Sequence, residues 1–127
     1  MSASVRAIYR IEARADGPAR ARRIITGELA RVLPRRRLEE VKLMISELVT
    51  NAVKYATKNK NEQITLDLRL GPEICCSVID TAEVFPAARA IAEPGAWGLK
   101  VVDRLAERWG VTRARGRTRV WFATSRS

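Results

Sequence analysis

The sequence predicts an α/β (α+β) two-layer sandwich, in which a mixed, mostly antiparallel sheet carries helices packed on one face. Three observations favour this class. Long stretches place apolar residues at helical spacing, and shorter stretches alternate apolar and polar residues. These elements follow one another in the order βααββ, a loop, then αββ. A length of 127 residues suggests a single domain over residues 1–127.

The first strand and the first helix occupy the N-terminal quarter. The strand is predicted over Arg6–Arg14, where apolar and charged residues alternate loosely. Asp16 is the predicted N-cap of the helix, because Pro18 stands just inside it and the two are a favoured combination at helix starts. We expect this helix to end near Pro34, since a proline disfavours helical backbone in the residue before it.

The second helix is predicted from Arg36 to Thr57. Glu47, Asn51 and Lys54 are spaced by four and three residues, so they lie on one stripe of this helix. That stripe is either an ordinary solvated face or a site where a carboxylate and a carboxamide hold a hard cation through oxygen. The opposite, apolar stripe consists of Leu38, Val41, Ile45, Leu48, Ala52 and Ala56.

Two alternating strands come next and should form an antiparallel hairpin. They are Gln63–Leu70 and Glu73–Asp80, joined by a turn at Gly71-Pro72. Asp80 ends the second strand and opens Thr81–Gly95, which we predict to be a long loop because it contains prolines and scattered alanines. A carboxylate in this position either faces a ligand cleft or serves as a turn residue.

A third helix is predicted over Trp97–Arg108, with Gly110 closing it. The segment Gly95–Gly98 places two glycines at its start. Such glycines can present backbone N–H groups to a phosphate, although glycine is also common in ordinary loops there. The chain then ends in a hairpin of two strands, Val111–Ala114 and Arg119–Thr124.

Charge is concentrated at the two ends of the chain. The net charge is +10, made up of +7 in residues 1–37, −3 in residues 38–103 and +6 in residues 104–127. Arginine-rich ends suit a nucleic acid, an acidic protein partner or a bound polyphosphate. The basic residues are dispersed, and no helix-turn-helix, zinc-finger or RNP pattern organises them, which argues against direct nucleic-acid binding.

The absence of histidine excludes several kinds of chemistry. Ser-His-Asp triads, Cys-His proteases and histidine-ligated zinc hydrolysis all require this residue. Cys75 and Cys76 are adjacent in a strand and point to opposite faces, so we expect them to be unpaired, small apolar residues. No apolar run approaches the roughly 20 residues that cross a bilayer, and the N-terminus has no signal-peptide core. We therefore expect a cytoplasmic protein without membrane contacts.

Four segments in order carry a resemblance to a known family. ELVTNAVKYA at Glu47–Ala56 is similar to an N box, and VIDTAEVFP at Val78–Pro86 is similar to a G1 box. GAWGLKV at Gly95–Val101 is similar to a G2 box, and GRTRVWF at Gly116–Phe122 to the closing strand. The chain resembles the GHKL (Bergerat-fold) ATPase superfamily in its histidine-kinase-like branch, and within it the anti-sigma-factor serine kinases of bacterial partner-switching systems.

The resemblance implies ATP and Mg²⁺ as ligands. Asn51 would coordinate Mg²⁺ that bridges the phosphates, and Glu47 would act as the general base or orient the attacking nucleophile. Asp80 would accept a hydrogen bond from the exocyclic amine of adenine, assisted by Thr118. The resemblance implies further nucleotide contacts from Lys54, Tyr55, Ala82, Gly95, Ala96, Trp97, Gly98 and Leu99.

Two functions follow from this resemblance. The first is an anti-sigma factor with serine/threonine kinase activity that phosphorylates an anti-sigma-factor antagonist, so that its partners are that antagonist and a sigma factor. The second is a degenerate binding module that sequesters a partner without phosphoryl transfer. It is motivated by Ala82 and Val84, which replace the glycines of the G1 box, and by Lys54, which replaces the usual histidine of the N box. The resemblance also implies a possible homodimer.

Overall fold

An antiparallel sheet organises the part of the chain that the computed structural model describes, residues 5–55, 63–80 and 99–127. Five strands and three helices lie within these residues and follow the predicted order. The elements are β1 (Val5–Glu12), α1 (Gly17–Leu29), α2 (Arg35–Tyr55), β2 (Gln63–Leu70), β3 (Glu73–Asp80), α3 (Lys100–Leu105), β4 (Arg108–Ala114) and β5 (Arg117–Ser125).

The strands are arranged in the spatial order β1-β2-β3-β5-β4. Every pairing among these strands is antiparallel, so the mostly antiparallel character of the prediction is confirmed and its mixed character is absent from the described residues. Strand β5 lies between β3 and β4, and this places Thr118 directly opposite Asp80. The sheet therefore joins residues that are far apart in the sequence.

The helices and one side of the sheet enclose the apolar core. Helix α2 packs against α1, α3 and β3, while α1 also contacts β1 and α3 contacts β4. Alternate residues of the strands point into this layer, as the period of two requires. The apolar stripe predicted for α2 is confirmed throughout its described part, because the following residues are all buried: Leu38, Val41, Ile45, Leu48 and Ala52. The two-layer α+β class is thus confirmed.

The first helix begins as predicted, after the N-cap Asp16 and with Pro18 in its first turn, but it ends earlier than predicted. Helix α1 ends at Leu29, and the amides of Val32 and Leu33 then bond to the Leu29 carbonyl in a turn before Pro34. Asp16 occupies the N-cap position, but its side chain makes no capping hydrogen bond. Its backbone carbonyl instead accepts from the Arg20 amide at 3.0 Å.

The helix predicted over Trp97–Arg108 is confirmed for Lys100–Leu105, but its predicted C-terminal end and its closure by Gly110 are wrong. Helix α3 ends at Leu105, the backbone becomes extended at Ala106, and both Arg108 and Gly110 belong to strand β4. The apolar spacing continues to Trp109, but the ring is half-buried opposite Phe122 in the sheet. The apolar spacing up to Trp109 is therefore compatible with a longer helix and also with a strand. Pairing with β5 determines that this segment is a strand.

The closing hairpin turns at Arg115 and Gly116. Both residues have a positive φ, 53° and 72°, as the central residues of a type I′ turn do. The turn pairs Ala114 with Arg117, so β5 begins two residues earlier than predicted. Among the described residues, no helix has the length and apolar character needed to cross a membrane. The predicted loop Thr81–Gly95 lies outside these residues.

Candidate functional site

A polar row interrupts the apolar, helix-facing side of the sheet at one end. Successive rows of directly opposed residues on β3, β5 and β4 run across this side. Two rows are apolar, and the third combines a carboxylate, a hydroxyl and a guanidinium. The rows are Cys76–Phe122–Trp109, Val78–Val120–Val111 and Asp80–Thr118–Arg113.

Two members of the polar row are deeply buried. Asp80 is 3% exposed and Thr118 is 0% exposed. The Oγ1 atom of Thr118 has no hydrogen-bond partner among the described residues. A buried hydroxyl without a partner is unfavourable, because it has lost water and gained nothing in exchange. The pair therefore suits a ligand that donates to the carboxylate and bonds to the hydroxyl.

The polar stripe of α2 is not simply a solvated face. Asn51 is only 7% exposed, and the Nδ2 atom of its amide has no hydrogen-bond partner among the described residues. Glu47 is half-buried and Lys54 is exposed. The unsatisfied Nδ2 is a donor, so it suits a ligand oxygen that accepts a hydrogen bond. A buried amide in this state is suited to a ligand.

The fold explains why this asparagine is tolerated in the middle of a helix. Asparagine disfavours helix interiors, since its amide competes for backbone hydrogen bonds. Helix α2 is held by the burial of its other side, with Val49 0% exposed next to the stripe. The helix packs against β3, the strand that ends in Asp80. Two elements in contact thus supply the amide and the carboxylate.

These residues fit a bound Mg²⁺. The ion prefers oxygen ligands and commonly takes only one or two from protein, with the rest supplied by phosphates and water. The oxygen of the Asn51 amide provides a ligand of this type. Within the described ranges, no group of three His, Cys, Asp or Glu side chains forms a separate metal cluster.

The remaining predicted residues have mixed outcomes. Leu99 is completely buried in the core, and its carbonyl accepts from the Asp103 amide at 2.8 Å, so its side chain packs in the core rather than against a ligand. The side chain of Tyr55 lies outside the described residues, as do Ala82 and the whole of Gly95–Gly98.

Sequence reasoning missed Arg113, the third member of the polar row. It lies opposite Thr118 on the edge strand and is exposed. The signal was available, because a two-residue turn at Arg115 and Gly116 fixes the register of the hairpin and aligns these two positions. The Arg113 guanidinium is thus a cation at the end of the polar row that lies on the edge strand β4.

Neither thiol contributes a reactive group to this site. Cys75 and Cys76 are both free, as expected, and Cys76 is fully buried on the helix-facing side. Burial raises the pKa of the Cys76 thiol well above its usual range. A buried protonated thiol is a poor nucleophile and a poor metal ligand.

The fold, with polar groups of the described residues left unsatisfied between its sheet and its helices, agrees with a family of ATPase domains. A family model described as the histidine kinase-like ATPase domain matches residues 11–124. The chain therefore belongs to the histidine kinase-like ATPase domain family, and an ATPase domain implies ATP as its ligand.

A solved structure shares this fold. The crystal structure of the RsbU and RsbW domains of Rv1364c from Mycobacterium tuberculosis matches with a TM-score of 0.72 and 19% identity over 94% of this chain. The present chain corresponds to 32% of that chain's length. No curated protein sequence matches this chain.

Proposed function

We propose that this protein is a cytoplasmic, ATP- and Mg²⁺-binding anti-sigma factor with serine/threonine kinase activity toward an anti-sigma-factor antagonist. The observation that carries the proposal is the set of unsatisfied buried polar atoms on Asn51 and Thr118, in a chain of the histidine kinase-like ATPase family. A phosphate oxygen would accept from the Asn51 Nδ2 donor, and a ring nitrogen of the base would bond to the Thr118 hydroxyl.

In this proposal the polar row recognises adenine. The Asp80 carboxylate accepts a hydrogen bond from the exocyclic amine, and Thr118 bonds to a neighbouring ring nitrogen through its hydroxyl. Both groups are buried, so water competes poorly for these bonds, and a base without the amine forgoes the bond to the carboxylate. This pair would therefore give selectivity for adenine.

The helix supplies the groups near the phosphates. Asn51 would hold Mg²⁺ through its amide oxygen, and the bound ion would neutralise charge on the phosphate oxygens during transfer. Glu47, half-buried one turn earlier, would accept the proton of the attacking serine hydroxyl. Lys54, exposed near the end of the same stripe, would attract the phosphates.

The charge distribution supports a protein acceptor. Both chain ends are strongly basic, and a basic surface increases the rate at which an acidic partner is encountered. We accordingly propose a sigma factor and an antagonist protein as partners. A homodimer is also part of the proposal, and sedimentation velocity of the purified protein tests it directly.

Calorimetry with Mg-ATP tests the nucleotide site. We expect saturable binding by the wild-type protein and a loss of roughly tenfold or more in affinity for Asn51→Ala. Asn51 is nearly buried, so circular dichroism must show that the variant remains folded. Absence of binding at millimolar ATP, or an unchanged affinity in folded Asn51→Ala, contradicts the assignment.

Transfer of labelled phosphate from ATP to a purified antagonist tests the kinase activity. We expect Glu47→Ala to bind ATP but to lose transfer by about 100-fold or more, since it removes only the proton acceptor. A second candidate function, partner capture without chemistry, is favoured by Ala82 and Val84 in place of glycines. It predicts that Glu47→Ala captures the same partner without nucleotide and that the wild-type protein transfers no phosphate.

A further inference from the structure

The side of the sheet that faces away from the helices has its own pattern of charge. Rows of directly opposed residues cross β1, β2, β3, β5 and β4, and we call this surface the open face. Its three complete rows are Arg6–Arg69–Cys75–Ala123–Arg108, Ile8–Asp67–Ser77–Trp121–Gly110 and Arg10–Thr65–Ile79–Arg119–Thr112. The outer two rows carry arginines and the middle row carries none.

The acidic groups of the open face already have partners. Asp67 accepts two hydrogen bonds from the Arg6 guanidinium, at 3.2 and 2.8 Å. Glu73 pairs with Arg108, a neighbour on the same face. Each of these carboxylates is thus neutralised within the open face, and the face contributes little negative charge to a partner.

Cations remain in excess. Arg10 and Arg69 are exposed, and the nearest carboxylate oxygen of the already paired Asp67 is 4.0 Å from Arg69. Arg119 donates through Nε to the hydroxyl of Ser77 at 2.9 Å, a neutral partner that orients the guanidinium without cancelling its charge. The outer rows of the open face therefore present arginine side chains whose positive charge is available to a partner.

The middle of the open face is small and partly apolar. The Trp121 ring lies against Gly110, where an added Cβ would approach Nε1 of the indole to 2.9 Å. Ile8, at the other end of the same row, is 53% exposed. Between them the row holds Asp67 and Ser77, which are buried at 5% and 2% exposure, so Ile8 and Trp121 are the apolar groups of this row that a partner can contact.

We propose that the open face docks an acidic protein segment whose apolar side chains pack against Ile8 and Trp121, and whose carboxylates pair with Arg10, Arg69 and Arg119. A second copy is disfavoured, because two such faces would bring like charges together. A nucleic acid is disfavoured because Trp121 is the aromatic residue of these rows, and one ring makes a poor platform for successive bases. The surface is independent of the Asp80–Thr118 row, which lies on the other side of the sheet.

A synthetic amphipathic peptide of glutamate and leucine is a suitable probe for the full chain. Fluorescence anisotropy should show binding that weakens by about tenfold in the charge reversal Arg10→Glu/Arg119→Glu. The control Arg31→Glu/Arg36→Glu changes the net charge equally at exposed positions on other elements and should bind as the wild type does. Equal weakening in both variants, or in neither, overturns the proposal.

Further measurements distinguish an acidic peptide from a nucleic acid or a second copy as the partner, and a single variant controls for misfolding. The indole NMR signal of Trp121, assigned with Trp121→Phe, should shift when the peptide is added. The single variant Arg10→Glu, at an exposed strand position, provides the same comparison if the double variant does not fold. Tighter binding of oligothymidylate than of the peptide, or a dimer in sedimentation that Arg10→Glu dissociates, overturns the proposal. Calorimetry with Mg-ATP should be unchanged in both variants, which separates this test from that of the nucleotide site.

Discussion

The two sides of the sheet differ in whether their buried polar groups have hydrogen-bond partners. On the open face, Asp67 and Ser77 are buried and each has a protein partner, Arg6 and Arg119 respectively. In the helix-facing layer, Asn51, Thr118 and Thr124 are buried with an unsatisfied atom among the described residues. Satisfied polar groups stabilise the fold, whereas unsatisfied ones cost stability unless a ligand completes them. The comparison separates groups that hold the sheet together from groups available to a ligand.

Neighbouring aromatic residues on β5 provide the test with the largest expected effect on stability. Phe122 is completely buried on the helix-facing side, whereas Trp121 is half-buried on the open face. We expect Phe122→Ala to lower the free energy of unfolding by about 3–5 kcal/mol, through lost burial and a cavity. Trp121→Ala should cost less than half of that. Urea denaturation followed by circular dichroism measures both, and equal losses would contradict the assignment of the two sides.

Asp80 and Asp67 are buried carboxylates on opposite sides of the sheet, and replacing each of them tests whether one binds ATP and the other stabilises the fold. Asp80→Asn should weaken ATP binding by about 100-fold, since the amide no longer offers a charged acceptor to the adenine amine. Asp67→Asn should leave ATP affinity unchanged and lower the free energy of unfolding by about 1–3 kcal/mol, since it weakens the bonds to Arg6. Calorimetry with ATP and urea denaturation of both variants give a two-by-two comparison. Loss of ATP binding in Asp67→Asn would contradict the assignment of a stabilising role to Asp67 and a nucleotide-binding role to Asp80.

Long-range pairing explains what could and could not be predicted from the sequence. The burial of the α2 stripe was predictable because helical periodicity repeats over many turns, as at Val41, Ile45 and Leu48. The end of α3 was not, because Trp109 is placed by its pairing with Phe122 rather than by its local sequence. Short helices give few repeats from which to detect a boundary.

The site shows the same limit. Asp80 and Thr118 were identified one by one through the resemblance, but their direct opposition depends on β5 pairing with β3 across the chain order. The unsatisfied state of Asn51 depends on burial, which a helical spacing alone cannot provide. Arg113 was missed because no motif contains it, and only the hairpin register aligns it with Thr118.

Two buried threonines of β5 allow a more refined test within the helix-facing layer. Thr118 and Thr124 are both completely buried with an unsatisfied hydroxyl, but only Thr118 opposes Asp80, while Thr124 opposes Ile74. Replacing either by valine, which has the same shape, should leave stability unchanged or slightly higher. Only Thr118→Val should weaken ATP binding, by about tenfold. An equal effect of the two variants on ATP affinity would refute the assignment of Thr118.

The smallest expected effect is a pH dependence at β1, where Arg6 and Tyr9 on opposite sides of the sheet form side-chain hydrogen bonds to other elements. Arg6 bonds to Asp67 on the open face, and Tyr9 donates a hydrogen bond to Glu28 of α1 in the helix-facing layer. The hydrogen bond to Glu28, followed by burial, raises the pKa of Tyr9 above its ordinary value of 10.0. The folded state then retains a proton that the unfolded state has released. The stability from this bond is therefore complete below that ordinary value and declines as pH rises through the raised pKa.

Tyr9→Phe removes this titration and keeps the ring. Between about pH 9 and pH 11, the free energy of unfolding of the wild type should fall more steeply than that of Tyr9→Phe. The buried Cys76, whose pKa is also raised, adds an alkaline loss of the same sign, but that loss is common to both proteins and cancels in their difference. Urea denaturation at a series of pH values measures the two slopes. Parallel slopes would mean that the hydrogen bond to Glu28 does not raise the pKa of Tyr9 and adds no stability in this pH range.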